Sequence, residues 1–155
     1  MRKRTLAMGI ALAVGVAGAG VARAEADEAL AAELAKAMLA VLDENAKAFS
    51  QLTALLANEK TACATARASA DADLDLRLRH LKALNARVKE LHGRADADTI
   101  AAADKLAKDE GEAKMQRMSA KMPETQRILK RFHERCPEDA SKLKEKTTKL
   151  AQVAE

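Results

Sequence analysis

The stretch Asp73-Leu74-Asp75-Leu76-Arg77-Leu78-Arg79 decides the fold class. Its charged and apolar residues alternate, which is the pattern of a half-buried strand. At a spacing of four, however, Asp73 meets Arg77 and Asp75 meets Arg79, both favourable ion pairs on a helix. A strand at this point would also have no partner elsewhere in the chain. The helical reading extends C-terminally, because Leu74, Leu78, Leu81, Leu84, Val88 and Leu91 form one apolar stripe over about 62–92. Gly93, with His92 in the last turn, is the expected C-terminal signal of that helix.

Working outward, Leu30, Leu34, Met38, Val41, Leu42, Phe49, Leu52 and Leu56 recur at spacings of three, four and seven, with Glu33, Lys36, Asp43, Glu44 and Lys47 on the other face. This predicts an amphipathic helix over about 27–57, followed by a polar break at 58–60. Asp96 or Asp98 can cap a third helix, whose apolar positions are Ile100, Ala103, Leu106, Ala107, Met115, Met118 and Met122. Its middle, Lys108 to Glu112, has no large apolar side chain. Pro123 kinks or restarts it, since proline lacks the backbone N–H and clashes with the preceding turn; 98–135 reads as one kinked helix or as two. Cys136 then stands at a cap position with Pro137 at the first helical position, and Glu138 and Asp139 suit the positive end of the helix dipole. Leu143, Leu150 and Val153 mark a last, short helix.

Composition agrees. The chain has 155 residues with no Trp, no Tyr and only two Phe. Beyond residue 24 the turn formers are Gly93, Gly111, Pro123 and Pro137, far too few for a β-sandwich or barrel. The expected fold is all-α: an antiparallel up-down helical bundle of three long segments and a short C-terminal helix. Alanine makes up about a quarter of the chain, so the apolar core should be thin.

The first 24 residues read as a secretory signal. Met1 to Arg4 is a cationic start, Leu6 to Val21 an apolar run of small and aliphatic residues, and Ala22-Arg23-Ala24 a small-x-small cleavage site before Glu25. The run is shorter than the roughly 20 residues that span a bilayer, and no Cys at the cleavage point suggests a lipid anchor. Residues 25–155 are then expected as one domain in the periplasm or secreted, with no transmembrane segment after cleavage. Arg2, Lys3, Arg4 and Arg23 would leave with the signal, so the remaining chain carries as many bases as its 23 acids.

Export bears on the two cysteines. In an oxidising compartment they are expected to pair, Cys63 with Cys136. An up-down path places the first and third loops at one end, which brings the two together. Closing so long a loop stabilises a fold by roughly 4 kcal/mol on the chain-entropy model. Neither CxxC nor CxxCH occurs, so thioredoxin-like chemistry and covalent haem lack their signatures.

Few residues suggest chemistry. Met115, Met118 and Met122 share a face, and soft thioethers select copper(I); with His133 they define a weak candidate metal cluster, although the same spacing is that of an ordinary buried seam. His133 and Cys136, with Cys63, offer a second donor set that the disulfide would consume. His133-Glu134 begins like the zinc-protease HExxH, but Pro137 stands where the second His belongs. Asp71, Asp73 and Asp75 begin like a calcium loop, yet the required Gly is absent and Lys82 takes the place of the closing Glu. His80 and His92 read as surface or flanking histidines. No catalytic constellation and no cofactor are expected.

Charge is unevenly spread: 25–75 is net acidic and 76–155 net basic. A basic patch is centred on Arg127, Lys130, Arg131, Arg135, Lys142, Lys146 and Lys149, which could meet an envelope protein, an anionic envelope surface or a second copy of the chain. A solvated helix face is the plainer account of it. Nucleic acid is not expected, because the balance is neutral and no aromatic side chains are placed for stacking. The sequence therefore points to an exported, non-enzymatic helical bundle of the cell envelope that acts as a binding, chaperone-like or structural component. The alternatives are a periplasmic copper-binding protein and a self-associating envelope protein.

Overall fold

The computed structural model describes residues 26–153, with side-chain environments to Leu150. The expected signal segment, 1–24, lies outside the described residues. Those residues form four helices: α1 (Glu28–Ala57), α2 (Cys63–Arg94), α3 (Ala97–Arg135) and α4 (Pro137–Val153). None of them is long and apolar enough to cross a membrane.

Each start has a local cause. Asp27 caps α1 by accepting from the Leu30 N–H at 2.9 Å, and Asp96 caps α3 by accepting from the Thr99 N–H at 2.8 Å. Each carboxylate satisfies one of the first-turn donors that a helix leaves unpaired. Thr99, in turn, accepts the Asp27 N–H at 3.0 Å and so joins the starts of α1 and α3. Pro137 opens α4 with Glu138 and Asp139 in its first turn, as expected from the fixed φ of proline and the helix dipole.

The expected break at Gly93 is displaced, and the choice left open at Pro123 is resolved in favour of one helix. α2 passes through Gly93 to Arg94, and no glycine among the described residues has a positive φ. The helix ends instead at Ala95, whose N–H donates to the carbonyls of Leu91 and His92. α3 is one helix that continues through Pro123. Pro123 and Ser119, whose carbonyl loses its partner, both lie on the exposed side, where water can take the place of the missing N–H. The weak middle of α3 is also helical. Gly111 lies over Leu39 and Leu42 of α1, and Lys114 bridges Asp43 and Glu110.

Consecutive helices run in opposite directions. Between α1 and α2, Glu33 meets Arg87 and Glu44 meets Arg77, so one number rises as the other falls. Helices of like direction then lie side by side. Asp27–Thr99, Asp43–Lys114 and Thr53–Thr125 join α1 to α3 at separations of 72, 71 and 72 residues. Between α2 and α4, Cys63–Cys136 and Lys146–Asp75 repeat the relationship at separations of 73 and 71. The bundle is thus two helical hairpins, α1–α2 and α3–α4, laid in parallel register.

The core has two parts. Around α4, Leu52, Leu56, Leu74, Leu81, Phe132, Leu143 and Leu150 pack together; beyond the end of α4, Leu30, Leu34, Leu91, Ala103 and Ala107 form a smaller cluster. Glu44 and Asn45 of α1 are buried between these groups in sequence, and Arg77 donates to Glu44 at 2.9 Å. The expected ladder around residue 75 is therefore half correct. Asp73 does pair with Arg77, at 3.4 Å, but Asp75 pairs with Lys146 of α4 rather than with Arg79. Leu106, one of the apolar positions of the third helix, is 58 % exposed.

Candidate functional site

A furrow on the surface follows from the parallel register of α1 and α3. Two helices side by side leave a furrow between them unless a third covers it, and on the outer face of this pair no described helix does. Three adjoining openings occupy the furrow, with volumes of about 450, 480 and 570 Å³ from its start to the disulfide end. Along α1 it runs from Ala32 to Ala57, roughly 40 Å at the helical rise.

The first opening lies between Leu39 and the exposed Leu106. The central one is lined by Phe49 and small residues of α1, including Ala46, Ser50 and Ala54, and by Met118, Met122 and Ile128 of α3. Thr53 and Thr125, hydroxyl to hydroxyl at 3.1 Å, tie the two helices together there. The last opening has Leu56, Ile128 and Phe132 among its lining residues, with Arg127, Arg131 and Arg135 along α3. The Arg135 guanidinium lies 5.8 Å from the centre of the Phe132 ring, a cation–π contact, and donates to the Asn58 carbonyl at 3.4 Å. Its Nε and Nη2 are buried and have no hydrogen-bond partner among the described residues.

The α3 rim is basic. Lys114 is committed to Asp43 and Glu110, and those two carboxylates hold its ammonium pKa above the ordinary lysine value. Arg131 reaches Glu59 only at 3.7 Å, with both side chains mostly exposed. Arg117, Lys121 and Arg127 are exposed and have no ion pair or hydrogen bond among the described residues. Glu124, between them, is likewise unpaired.

The predicted site residues are partly brought together and partly dispersed. Cys63 and Cys136 are bonded, with an S–S distance of 1.95 Å and Cα atoms 5.7 Å apart, so the bridge links the starts of α2 and α4. Met118 and Met122 line the furrow, and Met115 is half-buried outside its lining. His133 is exposed and lies roughly 16 Å along α3 from Met122 at the helical rise, too far to share an ion with it. Among the described residues no three His, Cys, Asp or Glu side chains gather as a metal site.

The basic patch divides in two. Arg127, Arg131 and Arg135 border the furrow, whereas Lys146 turns to α2, pairing with Asp71 at 2.8 Å and Asp75 at 2.7 Å. Lys149 and Lys130 pair within their own helices, with Glu145 and Glu134; Lys142 is exposed and has no ion pair among the described residues. The three aspartates at 71–75 are therefore occupied by Lys146 and Arg77. His80 is half-exposed and lies 3.2 Å from Glu44.

Sequence reasoning missed Phe49, Arg117 and Lys121 as site residues. Arg117 and Lys121 flank the Met stripe at a spacing of four, a signal that was present but meaningful only once α1 was known to lie alongside. What the furrow offers is apolar area, adaptable thioethers and unspent positive charge. Comparison with protein families, with characterised proteins and with solved structures finds no match to this chain.

Proposed function

We propose that this is an exported, non-enzymatic binding component of the cell envelope, and that it works through the furrow between α1 and α3. One observation carries the reading: a channel roughly 40 Å long by the helical rise, with Met118, Met122, Phe49 and Ile128 among its lining and three unpaired cations near its rim. These four side chains are only half-buried, so the furrow keeps apolar surface that a partner can cover, and flexible methionines are typical of surfaces that must fit a partner. The leader-like start supports placement outside the cytoplasm, and the disulfide is consistent with an oxidising compartment.

A photo-crosslinking residue placed at Met122 in the expressing cell tests the reading, with one at Lys82, exposed on α2, as the control. Adducts from position 122 and none from 82 are expected. Equal labelling at both positions, or none at either, would overturn the assignment. N-terminal sequencing of the exported chain tests the location, with Glu25 expected as the first residue.

A further inference from the structure

We propose that the occupant of this furrow is an acid-flanked amphipathic helix supplied by a partner protein. This rests on the binding reading above and adds the chemistry of what is bound. The shape favours a helix: a furrow between two parallel helices, far longer than a drug-sized ligand needs, is the seat into which a third helix packs. Ala46, Ser50 and Ala54 keep the α1 wall low, so a backbone can come close, while Met118, Met122 and Phe49 supply apolar contact.

Charge sets the rest of the identity. The α1 wall of the central opening has a single charged residue, Asp43, which Lys114 already holds. On the α3 side Arg117, Lys121 and Arg127 are unpaired, against one unpaired acid, Glu124. A docked helix with an apolar stripe and carboxylates along one flank would meet these cations at axial spacings of roughly 6 and 15 Å, four and ten residues of helical rise. A basic flank would face like charge instead, which disfavours the wrong partner.

The chain has no Trp and no Tyr, so a tryptophan in a peptide probe reports binding without background. Two synthetic amphipathic helices of about five turns, roughly 18 residues, would be titrated with the oxidised protein: each has one Trp and a leucine stripe, flanked by Glu in one and Lys in the other. The Glu peptide should bind saturably and the Lys peptide about tenfold more weakly, the difference shrinking as salt is raised. Replacing both Arg117→Glu and Lys121→Glu, at exposed positions that leave the helical circular dichroism intact, should reverse the preference.

Equal affinity for the two peptides, or no binding of either, would overturn the proposal. Binding to phosphatidylglycerol vesicles in place of the Glu peptide would overturn it in favour of a lipid surface. A concentration-dependent dimer in sedimentation that the Arg117→Glu, Lys121→Glu change dissolves would overturn it in favour of a second copy. In these cases crosslinking from position 122 still stands and the binding reading survives; loss of that crosslinking as well removes both.

Discussion

Glu44 of α1 and Arg77 of α2 meet at 2.9 Å, with side chains only 10 and 17 % exposed. Burial by itself pushes the Glu44 carboxyl up, but hydrogen bonds and charge from Arg77 and His80 outweigh it and hold the group below its ordinary 4.5. The carboxylate thus favours the folded state wherever it is ionised. Its contribution is complete above the unfolded value and drains away as the pH falls through the lower folded value. Glu44→Gln should flatten this acid limb of the stability profile and destabilise the fold by about 2 kcal/mol, because Arg77 loses its interhelical counter-charge. Urea unfolding across a pH series checks both; an unchanged acid limb would show the pair to be inert.

The same pair allows a second comparison. Replacing both residues by leucine should cost less than removing either alone, since a buried ion pair gives little net stability over well-packed apolar side chains. A double variant as unstable as the sum of the two single ones would contradict this.

Opening the Cys63–Cys136 bridge removes a cross-link between residues 73 apart. Reduction, or Cys63→Ala with Cys136→Ala, should lower unfolding stability by roughly 4 kcal/mol on the chain-entropy account. Thermal unfolding with and without reductant measures it. Equal midpoints would mean that packing at the four-helix end suffices without the bond.

Gly111 lies inside α3, where an added Cβ would meet Leu42 at 3.7 Å and Leu39 at 3.8 Å. These are ordinary contacts, so Gly111→Ala should recover most of the helix-propensity difference, about 1 kcal/mol. A loss of stability would show that the two leucines cannot accept the methyl.

Leu34 and Leu106 both precede an Ala-Lys pair, yet one is 1 % and the other 58 % exposed. Leu34→Ala should cost about 3 kcal/mol as a buried truncation, whereas Leu106→Gln should leave stability within about 0.5 kcal/mol, as a surface change does. If Leu106→Gln proved strongly destabilising, the furrow would have to be closed in solution.

Much of the architecture was legible because apolar spacing, Asp caps and Pro137 act locally. The helices and the cysteine pairing needed little more than periodicity and the rule that short connections reverse direction. Gly93 misled because its signal assumes a left-handed residue, and α2 closes with an extended Ala95 instead. Asp75 misled because a neighbour four residues away was assumed, while Lys146 of another helix is the partner taken. Leu106 and the furrow were hidden for one reason: periodicity shows which residues are apolar, not which helix lies next to which. That α1 adjoins α3 in parallel follows from tertiary packing, and with it whether Arg117 and Met118 border a furrow or a core.

The constant offset of about 72 residues between paired positions also sets a timetable. Whichever way the chain is delivered from its N-terminus, α1 and α2 come first, and until α3 follows that hairpin has no second hairpin to stack against. Cys63 has no intramolecular partner until the whole of α3 has followed it, because Cys136 lies 73 residues further on. The intramolecular bond can therefore form only after α3 is complete and its end has come beside the start of α2.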